Sequence, residues 1–214
     1  LRFTYPEDTT SRILFDIGHR QGESGAVVDA SVWLTPEGRI EGWVVTEPEY
    51  VKKYQPGADI RMYFSATVDK QPQRWGTFID DCVQQGQRQV RGAGAGLYIE
   101  FATRPGEPVT ACVGLSYTSV ENARLNRESE AARPDFDATR AAAHQSWEEA
   151  LGRIRVETPV HSDKVKFYTG LYHALLGRGV GSDVRGTYPR HDGTVGQISL
   201  GADGKPRHQY YNTD

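Results

Sequence analysis

The stretch Val113-Gly-Leu-Ser-Tyr-Thr-Ser-Val-Glu-Asn-Ala-Arg-Leu-Asn-Arg-Glu-Ser-Glu-Ala131 is where the chain changes character. Val113 to Tyr117 is short, small and apolar, as suits a buried strand. Thr118 and Glu121 then form a T-x-x-E capping box, which predicts that strand gives way to helix within one or two residues. Upstream the sequence reads as strands and tight turns, downstream as helices. The stretch therefore joins a β domain to an α domain, and its own residues must set the angle between them.

On the β side, Arg2 to Tyr5 and Ser11 to Ile17 are short strand candidates around the turn Pro6-Glu-Asp8. Gly25 to Thr35 and Arg39 to Thr46 form a hairpin turned by Pro36-Glu-Gly38. Val28, Ala30, Val32 and Leu34 line one face of it, with apolar residues on both faces of the return strand. Such a hairpin is covered on both sides. Glu47 to Gly57 reads as a loop. Ile60 to Val68 shows the clearest period of two, and Gln73 to Ile79, Leu97 to Phe101 and Val109 to Tyr117 complete the strands. Strands at roughly ten-residue spacing without intervening helices predict an antiparallel sandwich. Arg91-Gly-Ala-Gly-Ala-Gly96 is glycine-rich but lacks the Lys-Ser/Thr of a phosphate loop, so it reads as room for close strand packing.

On the α side, Thr118 to about Ala132 is a charged helix interrupted by Pro134. Asp135 caps a second helix with Phe136, Ala143, Trp147, Leu151 and Ile154 near helical spacing. Ser162 or Asp163 caps a third, on which Val165, Tyr168, Leu171, Tyr172, Leu175 and Leu176 leave little polar face. This helix calls for a larger helical assembly. The region from Gly177 to Asp214 is turn-rich, and binding residues concentrate in such loops.

The 214 residues are 37% apolar and 25% charged, with net charge −3. No apolar run approaches the roughly 18 residues of a membrane span, and no basic patch points to nucleic acid. The aromatic complement of 11 Tyr, 4 Trp and 7 Phe suits either sugar stacking or a sandwich core. Cys82 and Cys112 lie in strand-like segments, and a bridge between them depends on the compartment. The chain opens directly into a strand at Leu1 and closes on Tyr-Tyr-Asn-Thr-Asp214, so it reads as an interior piece of a longer polypeptide.

Several residues suggest chemistry. Asp16 and His19 could exchange a proton, but a structural loop pair is the plainer reading. Glu121, Glu128 and Glu130 include carboxylates on one helix face, yet interleaved Arg124 and Arg127 favour a solvated, salt-bridged surface. His173 on an apolar helix reads as a core or interface histidine. Asp183, Arg185, Tyr188, Arg190, His191 and Asp192 form a polar loop cluster suited to hydroxyl-rich ligands. His208, Tyr210, Tyr211, Asn212 and Asp214 form a similar one. No Gly-x-Ser-x-Gly elbow, His-Glu-x-x-His motif or metal-spaced cluster occurs.

The junction stretch resembles the domain-junction signature of glycoside hydrolase family 92. FDATRAAAHQSWEEALGRIRVE, KVKFYTGLYHALLGRGVGSDVRGTY and YYNTD follow the same family pattern in order, and LRFTYPEDTTSRILFDIGHR resembles its N-terminal β domain. The resemblance implies an antiparallel β-sandwich (a supersandwich), a helical linker and the start of an (α/α)6 barrel, here over residues 1–118, 119–159 and 160–214. It implies an inverting exo-α-mannosidase acting on mannose-containing glycans with Ca2+ at the sugar site, secreted, periplasmic or on the cell surface. Inversion needs two carboxyls about 6.5–9.5 Å apart. The family's acid, base and main calcium ligands match positions beyond Asp214, in the remainder of the polypeptide. Tyr211, Asn212 and Asp214 fall near the expected sugar site, and Asp183 and Tyr188 are weaker candidates for it. A non-catalytic carbohydrate-binding or structural sandwich, or another sandwich-plus-barrel enzyme such as a disaccharide phosphorylase, are the alternatives.

Overall fold

The computed structural model describes residues 1–6, 10–22, 24–131, 135–176 and 179–212. The expected turn residues Glu7 and Asp8 and the expected helix break at Pro134 lie outside them. Ten strands come first, with one short helix among them. They are β1 (Arg2–Thr4), β2 (Ser11–Asp16), β3 (Ala26–Leu34), β4 (Ile40–Glu47), α1 (Glu49–Tyr54), β5 (Ile60–Val68), β6 (Arg74–Ile79), β7 (Cys82–Gln85), β8 (Gln89–Arg91), β9 (Ala95–Phe101) and β10 (Pro108–Ser116). Three helices follow: α2 (Val120–Glu130), α3 (Phe136–Leu151) and α4 (His161–Leu176). Four short strands end the described chain: β11 (Gly179–Val180), β12 (Thr187–Pro189), β13 (Val195–Gln197) and β14 (Tyr211–Asn212).

The first ten strands form two antiparallel sheets, ordered β1-β10-β5-β4-β3-β8 and β2-β9-β6-β7. Val32, Leu34, Ile40, Phe64, Ala66 and Val109 of the larger sheet meet Ile13, Leu97, Ile99 and Phe101 of the smaller one in a shared core. Alternation places these side chains on the inner faces, and burying each large one contributes about 1.5–3 kcal/mol. Phe15 and Phe64 stack across the layers at 6.4 Å. Gly42 makes this possible, because a Cβ there would fall 2.7 Å from the Phe64 ring.

Several expectations are corrected. Glu49–Tyr54 is helical rather than loop, started by Pro48 and ended at Gln55. Val28 is half exposed, because a bulge between Val27 and Asp29 breaks the alternation that continues through Ala30, Val32 and Leu34. β7 and β8 add strands in a polar segment whose pattern shows no alternation. Cys82 and Cys112, whose bridging the sequence leaves open, are both free thiols. The third helix begins at His161, ahead of the expected Ser162 or Asp163.

The junction differs in detail from the capping box. Ser119, not Thr118, caps α2, its Oγ accepting from the Asn122 N–H at 3.0 Å. Val113 and Leu115 are exposed, while Gly114 between them is buried beneath α2. A Cβ on Gly114 would lie 2.3 Å from the Ala123 carbonyl oxygen, so only glycine lets the helix backbone rest on this strand.

Beside this contact, α2 covers the outer face of the larger sheet through a buried ion pair. Glu41, 2% exposed, accepts from Arg124 at 2.8 and 2.9 Å and from the Ser65 hydroxyl at 3.0 Å. Arg39 approaches it at 3.3 Å. Burial pushes the Glu41 carboxyl pKa up, but hydrogen bonds from Arg124 and Ser65 and the charges of Arg124 and Arg39 outweigh it, so the group titrates below its ordinary value. Of the hairpin, β4 is thus covered on its outer face at Glu41, whereas the start of β3 stays exposed there. Farther on, Arg2 ties β1 to α3, pairing with Asp137 at 2.8 Å and lying over the Phe136 ring.

α3, capped by Asp135, packs on α4 through Trp147 and Tyr172 at 4.7 Å. The Tyr168 hydroxyl donates to the Ile154 carbonyl and accepts from the Val156 N–H. Neither helix buries a residue fully, and Val165, Phe167, Leu175 and Leu176 of α4 are exposed. Among the described residues, no helix is long and apolar enough to cross a membrane.

Two outcomes follow for the ion pair. Arg124→Ala strands a buried carboxylate and lowers unfolding stability by about 3 kcal/mol, measured by urea titration at pH 7. A carboxyl with a depressed folded pKa contributes stability above its unfolded value and loses it as pH falls through the folded one. The stability gap between wild type and Glu41→Gln therefore narrows on going from pH 7 to below about pH 4.

Candidate functional site

The residues after α4 form a small β structure docked on the start of α2. Asp183 holds it there. It is 5% exposed, and its Oδ2 accepts from the hydroxyls of Thr118 at 2.5 Å and Thr187 at 2.7 Å. Its Oδ1 accepts from Asn126 Nδ2 at 2.7 Å. The same Asn126 amide donates to the Leu115 carbonyl and accepts from the Val184 N–H. One turn earlier on α2, Asn122 donates to the Thr118 and Thr187 hydroxyls. The i, i+4 spacing of Asn122 and Asn126 puts both amides on the face that receives the loop.

The loop itself is a tight turn. Gly186 N–H donates to the Asp183 carbonyl at 2.7 Å, and Asp183 N–H donates to the Thr187 carbonyl at 2.8 Å. Gly186 has φ of 83° and sits against Pro206, so a side chain there would be strained and crowded. The chain then enters β12, which pairs with β13 and sets Tyr188 opposite Gly196. The Tyr188 ring covers Gly196 and stacks on Tyr210 at 4.8 Å. Tyr210 is anchored by the Ser182 hydroxyl, which accepts its N–H at 3.0 Å. From there β14 pairs with β11, Tyr211 opposite Val180 and Asn212 opposite Gly179. Tyr211 is 48% exposed and its hydroxyl donates to Gln209 at 2.7 Å.

Four of the expected ligand residues thus share one structural unit. Tyr188 and Tyr211 present aromatic surface, and Asn212 occupies the neighbouring strand position. Asp183 lies beneath, both carboxylate oxygens accepting from protein donors that tie the loop to α2. Asp214 lies outside the described residues. A cleft of about 380 Å3 runs between β10, the end of α2 and the loop, lined by residues including Leu115, Arg127, Glu130, Val180 and Ser182.

The remaining candidates fall elsewhere. His19 Nδ1 lies 2.6 Å from Asp16 and its Nε2 3.5 Å from Asp80, and the Asp16 hydrogen bond, with the nearby acids, raises the histidine pKa. Glu121, Glu128 and Glu130 are exposed, Glu128 pairing with Arg127. His173 is exposed on α4 beside Tyr172 rather than buried. Asp192 accepts from the Thr194 N–H and hydroxyl, bonds that hold its pKa down. Among the described residues, no group of three or more His, Cys, Asp or Glu is arranged to hold a metal ion. Sequence reasoning missed Asn122, Asn126, Thr118 and Thr187, although the two asparagines four apart were a visible signal.

The chain matches two family descriptions in tandem: the glycosyl hydrolase family 92 N-terminal domain over residues 1–116 and the glycosyl hydrolase family 92 catalytic domain over residues 122–214. A curated relative, an uncharacterized secreted glycosidase of Arthroderma benhamiae, is 32% identical over 88 residues, 38% of this chain and 11% of the relative. A family GH92 α-mannosidase from Bacteroides thetaiotaomicron superposes with a TM-score of 0.83 at 24% identity, covering 98% of this chain and 27% of that one. A family GH92 inverting mannosidase from Bacteroides thetaiotaomicron VPI-5482 superposes at 0.73 and 21% identity, covering 93% and 26%. The chain therefore spans about a quarter of the length of these solved structures, and it shares their fold of a β-sandwich followed by the start of a helical barrel domain. The two matched domains, meeting at the junction that Gly114, Glu41 and Arg124 build, make this chain a member of glycosyl hydrolase family 92.

Proposed function

We propose that this chain is one part of an inverting, calcium-dependent exo-α-mannosidase that hydrolyses terminal α-mannosidic linkages of glycans. The observation that carries the reading is the tandem match to both family 92 domains, supported by the likeness to α-mannosidases over nearly the whole chain. On this reading residues 1–118 are the sandwich, 119–159 the linker and 160–214 the opening of the catalytic barrel. The acid and base belong to the remainder of the polypeptide. The family resemblance places the main calcium ligands there too, and no step of this chain's own chemistry runs through the ion. The name of the fungal relative supports a location outside the cytoplasm, secreted, periplasmic or on the cell surface.

The contribution of this chain is to hold and shape one wall of the sugar site. Tyr188 stacked on Tyr210 offers a rigid ring, and a pyranose C–H face packs well on such a surface. Tyr211, half exposed on the neighbouring strand, extends that wall, and Asn212 and Asp214 remain candidate sugar contacts by their place in the sequence alone. Asp183 fixes its position relative to α2. Because α2 is clamped to the sandwich through Glu41, the wall is referenced to the larger sheet.

Proton NMR of the longer enzyme acting on an aryl α-mannoside should show β-mannose as the first product, with activity lost on chelation and restored by Ca2+. Initial α-mannose, or activity indifferent to chelation, would overturn the reading. In the same enzyme, Asp183→Ala lowers kcat/KM by about 10²-fold through displacement of the loop. Tyr188→Ala raises KM more than it lowers kcat, because it removes binding shared by substrate and transition state.

A further inference from the structure

The smaller sheet carries an open groove of about 360 Å3 on its outer face, lined by Arg12, Arg74, Trp75, Gln85, Tyr98 and Glu100 among others. Three features of it converge. The first is a flat ring. Tyr98 pairs across the sheet with Gly76, and a Cβ on Gly76 would lie 2.6 Å from the ring and from its hydroxyl. The absent side chain lets the phenol lie down along the sheet. Among the described residues, that hydroxyl has no hydrogen-bond partner.

The second feature is a charge imbalance. Glu100 is held by Arg12 at 2.6 Å and Arg74 at 2.7 Å, each through a single guanidinium nitrogen, Nε. One carboxylate therefore faces two guanidinium groups, leaving one positive charge and the terminal nitrogens of both arginines unused by this pair. The Glu100 side chain is only 9% exposed, whereas those of Arg12 and Arg74 are 60% and 69% exposed. The buried acid thus orients two forks whose free edges face solvent beside the ring. The third feature is the amide of Gln85, which adds donors and an acceptor on the β7 side of the groove.

We propose that this groove binds a pyranose carrying a carboxylate, a uronic acid unit of an acidic polysaccharide. The sugar ring stacks on Tyr98, and its carboxylate meets the free edges of Arg12 and Arg74, where a planar guanidinium matches carboxylate geometry. Ring hydroxyls reach Gln85 and the Tyr98 hydroxyl. Neither half suffices alone: an exposed ion pair in water contributes little, and a single aromatic ring contributes only about 1 kcal/mol. The ligand must therefore present both.

The test is isothermal titration and chemical-shift perturbation of the full chain with methyl β-D-glucuronide, methyl β-D-glucoside and sodium acetate at matched ionic strength. The uronide should bind at least about tenfold more tightly than either comparator, with affinity falling as salt rises. Tyr98→Ala should abolish binding, while Tyr98→Phe, which keeps the ring, should retain most of it. The triple variant Arg12→Gln, Arg74→Gln, Glu100→Gln removes the charges without stranding a buried carboxylate, and should bind the uronide no better than the glucoside. Acetate binding as tightly as the uronide would reduce the groove to an anion site and overturn the proposal. Equal affinity for glucoside and uronide, no binding of the uronide, or loss of binding in Tyr98→Phe with its fold intact by circular dichroism would overturn it as well.

Discussion

A carboxylate taken out of water must be matched by charge and hydrogen bonds, or it costs several kcal/mol. Glu41 is such a group, and α2, with the loop docked on it, is oriented through its partners. It sits on the helix-facing side of β4, and its guanidinium partner comes from α2, 83 residues later. Two hydrogen bonds from one planar Arg124 side chain set the rotation of α2, because a fork meets a carboxylate in few orientations. Gly114 sets the distance by letting the helix backbone touch β10. Angle and separation are thus decided by two residues of different kinds, one electrostatic and one defined by lacking a side chain.

The next link reuses the same helix. Asn122 and Asn126 face away from the Glu41 contact and receive the loop that carries Asp183. Sandwich, helix and tyrosine wall therefore form one chain of polar contacts, each satisfied by the next. In such a series a buried polar group is only as stable as its partners. The apolar core, by contrast, holds the two sheets together without specifying where α2 lies.

Two kinds of feature are legible in the amino-acid order alone. Alternation in Ile60 to Val68 and in Ala30, Val32 and Leu34 marks inward faces, because a period of two has only one burial solution once one side is covered. Asp135 and the apolar spacing of Trp147 mark the second long helix. Junction, sandwich and helices all fall within a few residues of where these patterns place them. What escapes are features without a periodic signature. A single bulge reverses Val28. The helix at Glu49–Tyr54 is too short to show a 3.6-residue repeat. Strands β7 and β8 lie in polar sequence and exist because their neighbours offer free edges. At the site, Asp183 reads from sequence as an acid in a polar loop, and only the structure shows it buried with both oxygens taken by protein donors.

The sequence by itself determined the order of domains, the family and the faces that must be buried, since these follow from local pattern and from ordered blocks of residues. It also marked the Tyr188 and Tyr211 region as worth attention. Only the tertiary structure decided which polar groups meet. Glu41 with Arg124, Asp183 with Asn126, and Glu100 with Arg12 and Arg74 are separated by tens of residues or more, and no periodicity links one partner to the other. Hydrophobic patterning is a property of one segment, whereas the satisfaction of a buried charge depends on two or three segments that the fold alone brings together.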